Sequence, residues 1–387
     1  MVIFWATKLR GFLRHISEVD ADVRFVGRDN YYEISGFKKN LKSKLIRSRL
    51  LDLPGVFQVL KAQDKQCDGY GSFNRFLDAD KPYFIYLENP TALYHYALGR
   101  VRRGAGRRKF EACLNDPNLR AIVCMSEACR STFERINMPV PAHVDLRTIY
   151  PLVPKNNRID EEGIRQKSHA EVLECLYCVQ GKSFYTKGGR DVLEVVTRLQ
   201  DSGCRIHLTV ITNVAALQED TRKLIESRDG ITLHDFTLSY DEMEQVYAKT
   251  AVLLQPSSAD SFGLTVLEAM KGGCAVLGSK LYAFPEMVYE HENGILIDPM
   301  YWTFTPDNMP NPIAWGYHKK VRLCKKRSQT YVDDIERALR TMYENRDMVF
   351  AFGMKSLEIA DSKFGVETIC GQWKEVWNEL ERTENEA

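Results

Sequence analysis

The chain has 387 residues, 44% of them hydrophobic and 27% charged, with a formal net charge of +1. That length exceeds one typical domain and suits two, each able to bury its own core. The composition is that of an ordinary globular protein, and so small a net charge gives no bulk electrostatic argument for a nucleic-acid partner. Ten cysteines are scattered, mostly among apolar neighbours, as free thiols in a reducing compartment are. The first charge, Lys8, comes too early for a signal peptide, and no apolar run approaches the ~20 residues of a spanning helix. The expectation is a cytoplasmic protein.

Short apolar runs predict strands at Val23–Val26, Tyr83–Leu87, Ala121–Met125, Val172–Val179, Ile206–Ile211, Ala251–Leu254, Ala275–Leu277 and Gly294–Ile297. They are apolar on both faces, as strands buried under helices on each side must be. Between them lie amphipathic stretches. Arg190–Gln200 carries Val192, Leu193, Val196 and Leu199 at helical spacing, and Asp241–Lys249 reads the same way. This alternation implies an α/β chain with doubly wound parallel sheets. Residues 151–157, Pro-Leu-Val-Pro-Lys-Asn-Asn, read as a linker. Residues 301–327, rich in Pro, Asn and aromatic side chains, break the rhythm as an insertion or long loop. Ser362–Arg382 is expected to be helical, with Trp373 and Trp377 one turn apart. The expected divisions are residues 1–165, 166–361 and 362–387.

The segment from Gln255 to Met270 carries the most chemistry. A strand runs into a loop of small residues, Pro256-Ser257-Ser258-Ala259-Asp260-Ser261, and a helix is expected to open near Ser261. A helix N-terminus offers free N–H groups and a positive dipole end, which suits an anion such as phosphate. Gly263 has no side chain to block that approach. Asp260 stands before the helix, and Glu268 about two turns inside it, where a carboxylate can accept hydrogen bonds from sugar hydroxyls. A second element, Gly181-Lys182-Ser183-Phe184-Tyr185-Thr186-Lys187-Gly188, also follows a strand and precedes a helix. It puts two lysines at the sheet edge where doubly wound folds bind ligands.

With these segments in order, residues 172–299 resemble the donor-binding half of glycosyltransferase family 4, which has the GT-B fold: two Rossmann-like domains facing across a cleft. Lys182 and Lys187-Gly188 resemble the family's basic pair. His234-Asp235-Phe236-Thr237-Leu238-Ser239 resembles the segment near the nucleotide base, and Pro256 to Met270 resembles the spaced acidic motif. Asn293-Gly294-Ile295-Leu296-Ile297-Asp298-Pro299 resembles the closing strand. The first 150 residues resemble the family loosely, with Glu127 after Ser126 as one echo.

The resemblance implies roles. Lys182 and Lys187 would hold the donor diphosphate, and the backbone of Phe262, Gly263 and Leu264 would contact it from the helix end. Glu268 would bind the ribose, Asp260 would touch the donor sugar, and Phe236 would lie near the base. The implied reaction is retaining transfer of a hexose-type unit from a UDP- or GDP-sugar to a glycan or lipid-linked acceptor, without metal or other cofactor. Bacterial surface-polysaccharide assembly is the implied setting, and the last helix is expected to cross back to the N-terminal domain. Three positions depart from the family pattern. Asp260 replaces Glu, and Lys182 replaces Arg, losing its bidentate fork. Tyr86-Leu87-Glu88-Asn89-Pro90 stands where the family often has a histidine, with Glu88, Asn89 and His95 as the alternatives.

Other signals read as structural. Cys175-Leu176-Tyr177-Cys178 lies in a predicted strand with no second Cys/His pair. Asp20-Ala21-Asp22 and Asp78-Ala79-Asp80 read as turn or surface acids. Three basic clusters, Lys38–Arg49, Arg100–Lys109 and Lys319–Arg327, read either as solvated surface or as contacts to an anionic membrane face. No basic-aromatic platform for nucleic acid is present. A non-catalytic relative that binds a nucleotide sugar or a partner protein is the alternative function.

Overall fold

The computed structural model describes residues 1–20, 22–27, 51–52, 54–64, 66–136, 138–180 and 183–381. The chain divides into two units, Met1–Leu152 together with the segment from Val366 onward, and Val153–Gly365.

The first unit contains β1 (Val2–Trp5), α1 (Gly11–Val19), β2 (Arg24–Gly27), β3 (Val59–Ala62), β4 (Gly69–Phe73), β5 (Phe76–Ala79), β6 (Tyr83–Leu87), α2 (Gly104–Leu114), β7 (Leu119–Cys124), α3 (Glu127–Arg135) and β8 (Asp145–Thr148). Six of its strands form a parallel sheet in the order β2-β1-β4-β6-β7-β8, and β3 pairs with β5 apart from it. Every residue of β6 and β7 is buried, which is why Tyr83–Leu87 and, past the buried Arg120, Ala121 onward read as apolar runs. β4 is equally buried, but its sequence is Gly-Tyr-Gly-Ser-Phe, and no apolar run announces it. Its glycine at position 71 leaves room for the Trp5 indole; a Cβ there would lie 2.4 Å from Trp5 Cζ3.

The second unit contains α4 (Glu161–His169), β9 (Leu173–Cys178), α5 (Gly189–Asp201), β10 (Ile206–Thr212), α6 (Glu219–Glu226), β11 (Ile231–Asp235), α7 (Tyr240–Lys249), β12 (Val252–Gln255), α8 (Leu264–Lys271), β13 (Ala275–Ser279), β14 (Gly294–Ile297), α9 (Tyr317–Cys324), α10 (Gln329–Glu344) and α11 (Arg346–Ser362). Its six-stranded parallel sheet has the order β11-β10-β9-β12-β13-β14. The chain starts at β9, winds outward through β10 and β11, and returns to β12 on the other side of β9. Connections therefore leave β9 and β12 in opposite directions, which opens a crevice at the C-terminal ends of these two neighbours.

The unit boundary falls at Leu152/Val153, earlier than the 165/166 division expected from composition. The polar stretch that looked like linker is tied into the second unit. Asn156 Nδ2 donates to the Glu244 carbonyl at 2.9 Å. Lys167 of α4 is buried and donates to the carbonyls of Tyr247 at 3.2 Å and Gly272 at 2.5 Å, at the C-terminal ends of α7 and α8, where a cation is favourable. The second boundary, Gly365/Val366, follows α11, which continues to Ser362.

A final helix, α12 (Val366–Glu381), belongs to the first unit. Trp373 and Trp377, one turn apart, stack with centroids 5.0 Å apart. Trp373 meets Phe84 and Tyr86 edge-on, each at 5.4 Å. Trp377 Nε1 donates to Asp20 Oδ2 at 3.2 Å; of the two expectations, turn or surface acid, Asp20 is a turn residue, its Oδ1 accepting the Asp22 N–H at 3.1 Å, and it is buried, 5% exposed. Aromatic burial of this kind dominates core energetics. Trp373→Ala is expected to destabilise the first unit by about 3–5 kcal/mol in a urea titration. A loss below about 1 kcal/mol would mean that α12 is an accessory to that core rather than part of it.

Candidate functional site

Two loops leave the sheet at the β9/β12 crevice. The first is held by Tyr177 of β9, whose hydroxyl donates to the Phe184 carbonyl at 3.0 Å. A 3-10 turn, Tyr185–Lys187, follows, and Gly188 with φ +88° begins α5. A Cβ on Gly188 would lie 2.8 Å from the Pro256 carbonyl oxygen, so the two loops touch here. The second loop is held by the Tyr331 hydroxyl of α10, which donates to the Pro256 carbonyl. It ends at Gly263, with φ +93°, which caps α8. A Cβ there would meet Phe284 at 2.4 Å. Each helix thus begins at a left-handed residue where a side chain would be strained.

Between the loops, Lys187 Nζ donates to Asp260 Oδ2 at 2.7 Å, with the side chains 22% and 15% exposed. Asp260 Oδ1 accepts from its neighbour, the Ser261 N–H, at 3.0 Å. Helix α8 opens at Leu264, not near Ser261 as expected, because the left-handed turn at Gly263 must come first. Glu268 is therefore just over one turn inside the helix instead of two. The side chain of Phe262 is buried and Leu264 is the first helical residue. The N–H groups of Leu264 and Thr265 precede any intrahelical acceptor, and the Val266 N–H is the first to donate back, to the Gly263 carbonyl at 2.8 Å.

Glu268 is half-buried. Its Oε2 accepts from the Tyr247 hydroxyl at 2.7 Å. Burial pushes its carboxyl up to about 7, against the opposing pull of the Tyr247 hydrogen bond. Glu268 lines a cavity of about 50 Å³ with Val153, Asn156, Tyr240, Tyr247 and Lys271. Lys271 is itself paired with Asp361 at 3.3 Å.

Residues 176–303 match the family model described as Glycosyl transferases group 1. This span includes Lys187, Asp260, Gly263 and Glu268. Residues 176–303 are a glycosyl transferases group 1 domain. A stretch of 77 residues is 34% identical to sulfoquinovosyl transferase SQD2 of Arabidopsis thaliana; it covers 20% of this chain and 15% of the plant enzyme's length. The fold is similar over nearly the whole chain to Anabaena HepE, solved in complex with UDP-glucose (TM-score 0.56, 14% identity, 97% of this chain and 99% of that one). It is also similar to WaaG, a glycosyltransferase involved in lipopolysaccharide biosynthesis (TM-score 0.58, 14% identity, 97% and 99%). The chain has the GT-B fold, as the resemblance implied.

Within the group 1 domain, the structure brings Lys187 and Asp260 together and sets Glu268 one helical turn farther on. Lys182 lies outside the described residues. Phe236 is 41% exposed just beyond β11 and does not line the Glu268 cavity; Tyr240, four residues later, does. Tyr240, Tyr247 and Lys320 carried no sequence signal of their own. Lys320 lies in α9, within the 301–327 stretch. Burial pushes its ammonium down to about 8; the Asp260 carboxylate raises it and the Lys187 charge lowers it further. The hints in the sequence were the insertion itself, soon after the closing strand of the sheet, and the basic cluster Lys319–Arg327 that includes Lys320.

The basic clusters are not uniform surface. Arg327 of the third pairs with Asp191 at 3.2 Å and with Glu194. In the second, Arg100 is fully buried against Asp52 at 3.2 Å, and Lys109 donates to the Phe57 carbonyl at 2.7 Å. Arg102, Arg103 and Arg108 are exposed. The Lys38–Arg49 cluster lies outside the described residues. Among the described residues no helix is long and apolar enough to cross a membrane.

In the first unit, the alternatives at the end of β6 separate. Asn89 accepts from the Thr91 N–H at 3.1 Å and from its hydroxyl, capping the 3-10 turn Pro90–Tyr94. His95 is buried and its Nε2 accepts the Gln58 N–H at 3.0 Å. Glu88 is half-buried, with Oε1 accepting from the Tyr96 hydroxyl; it keeps a carboxylate at the sheet edge. Ser126 caps α3 by accepting the Cys129 N–H at 3.1 Å, so the echo at Ser126-Glu127 is a helix start. Asp80 accepts from the Tyr70 hydroxyl at 2.6 Å. Cys175 and Cys178 are free and buried in β9.

A carboxyl raised by folding binds its proton more tightly in the folded chain than in the unfolded one. The folded state then loses stability as pH rises through the interval between the two values, here from about 4.5 to about 7. Glu268→Gln removes this loss. The melting temperature of the variant is expected to gain steadily on the wild type across that interval and to match it below. A difference that stays constant with pH would show that Glu268 titrates as an ordinary surface carboxylate.

Proposed function

We propose that this protein is a glycosyltransferase that takes a sugar from a nucleoside diphosphate sugar and holds that donor in the second unit. The observation that carries the reading is the Lys187–Asp260 pair, 2.7 Å apart, at the β9/β12 crevice of a group 1 domain. A diphosphate entering this crevice meets the N-terminus of α8 and the Lys187 ammonium. By competing for Lys187 it frees the Asp260 carboxylate to accept from a hydroxyl of the donor sugar. Glu268 takes the ribose hydroxyls from inside the helix. UDP is the favoured nucleotide because HepE was solved with UDP-glucose; a GDP-sugar is the other choice.

Transfer proceeds with retention of anomeric configuration and without a metal ion. Fixed cations and helix-end N–H groups stabilise the charge that develops on the departing diphosphate, which is electrostatic preorganisation. The leaving phosphate oxygen takes the acceptor proton. The acceptor is a glycan or a lipid-linked sugar held by the first unit, with Glu88 at the end of β6 as its polar contact. WaaG, of similar fold, works in lipopolysaccharide biosynthesis, and bacterial surface-polysaccharide assembly is the setting proposed here. The exposed Arg102, Arg103 and Arg108 suit an enzyme lying on an anionic membrane face.

A thermal-shift screen against UDP, GDP, ADP and dTDP, with magnesium and with a chelator, tests the donor site. One nucleotide is expected to raise the melting temperature in both conditions, with linkage worth roughly 2.7 kcal/mol at a hundred times its dissociation constant. Lys187→Ala and Glu268→Ala are expected to abolish the shift. If no nucleotide moves the wild type, the donor assignment fails. Nucleotide binding without hydrolysis or transfer of any matching sugar would identify a non-catalytic binding protein.

A further inference from the structure

Residues 301–327 are built into the donor site rather than looping out from it. The Tyr301 hydroxyl donates to the Thr186 carbonyl at 3.0 Å, next to Lys187. Thr303 donates to the Ser258 carbonyl at 2.5 Å, and the Tyr301 N–H donates to Ser258 Oγ at 3.4 Å, two residues before Asp260. One short segment thus grips both ligand loops. Phe304 stacks on Tyr282 at 3.8 Å and Trp315 packs edge-on against Phe304 at 5.2 Å. Helix α9 then lies against the Tyr185–Lys187 turn, and Arg327 fastens the far end to Asp191 and Glu194 of α5.

Lys320 is half-buried on α9, the helix that packs against the turn carrying Lys187. Its Nζ is 5.9 Å from the Trp315 ring centroid, and it feels the charges of both Asp260 and Lys187. Among the described residues its ammonium makes no ion pair. The carboxylate whose charge it feels, Asp260, already accepts from Lys187 and from the Ser261 N–H. A half-buried cation left over in this way is costly without an anion to answer it.

We propose that Lys320 is a further ligand of the donor diphosphate, acting beside Lys187, and that the 301–327 insertion is therefore part of the donor site. The inference rests on the donor-site reading above. It goes beyond that reading in assigning anion recognition to a segment outside the strand-loop-helix motifs.

The test is titration calorimetry with whichever of UDP, GDP, ADP and dTDP the wild type binds best, and with the matching monophosphate. Lys320→Met is expected to weaken the diphosphate roughly tenfold to a hundredfold, the value of a charge-assisted contact, and to weaken the monophosphate less. It is also expected to flatten the salt dependence of binding. Lys320→Arg keeps the charge and is expected to recover most of the affinity. Lys319→Met removes the same charge from a lysine that donates instead to the Pro312 carbonyl, and is expected to bind like the wild type. Lys320→Met binding within about twofold of the wild type would overturn the inference. So would an equal loss in Lys319→Met, or a folded Lys320→Arg that binds no better than Lys320→Met. If the wild type binds none of the four nucleotides, the donor-site reading falls and this inference falls with it; if it binds one and the lysine series is flat, only this inference falls.

Discussion

A parallel sheet covered by helices on both faces has nowhere to put polar chemistry except the ends of its strands. Backbone groups along β9 and β12 are spent on their neighbours, and their side chains are buried on both sides. The winding then decides which end and which pair. Because the chain leaves β9 toward β10 and leaves β12 toward β13, the two loops between them diverge instead of crossing, and the space they leave is where Lys187 and Asp260 meet. Loops of small residues would be poor supports by themselves. Here hydroxyls brace them by gripping backbone carbonyls: Tyr177 at Phe184, Tyr301 at Thr186, Tyr331 at Pro256 and Thr303 at Ser258. Three of these four hydroxyls come from residues outside the loops and outside β9, which ties the precision of the site to the packing of the whole second unit.

The electrostatics of the site follow from partial burial. Asp260 accepts from an ammonium and from a backbone N–H, and such charge-assisted contacts are the strong ones. Glu268, a turn into α8, accepts from the neutral phenol of Tyr247, and burial pushes its carboxyl up. The ion pair of Lys187 and Asp260 also means that, on the proposed reading, an incoming anion competes for a lysine that already has a partner.

Much of this was legible in the residues. The strands that bury both faces read as continuous apolar runs, and the order of the motifs placed Lys187 and Asp260 at the C-terminal edge of the sheet, where the structure has them. What escaped had physical reasons. β4 was hidden because Gly71 trades its side chain for the Trp5 indole. The start of α8 was misplaced near Ser261, since the chain must first turn left-handed at Gly263. The division near residue 165 followed a change in composition, but Asn156, ahead of it, already donates to the Glu244 carbonyl of the second unit. Tyr247 and Lys320 reach the site from 21 residues before Glu268 and 60 after Asp260, separations at which local pattern carries no information. Charge counting along the chain also misread the basic clusters, since Arg100, Lys320 and Arg327 each answer to a partner or a pocket that only folding creates.

The stacked indoles of Trp373 and Trp377 set an order of events in time. They seal the core around Phe84 and Tyr86 and cover Asp20, all residues translated early, yet they are themselves made only after the entire second unit. On the ribosome, where domains otherwise mature from the N-terminus onward, the first unit must wait with an open aromatic surface while the second is completed. The unit whose strands come before the second unit in the chain is therefore the one that closes after it, and the nascent chain carries that exposed patch until α12 emerges.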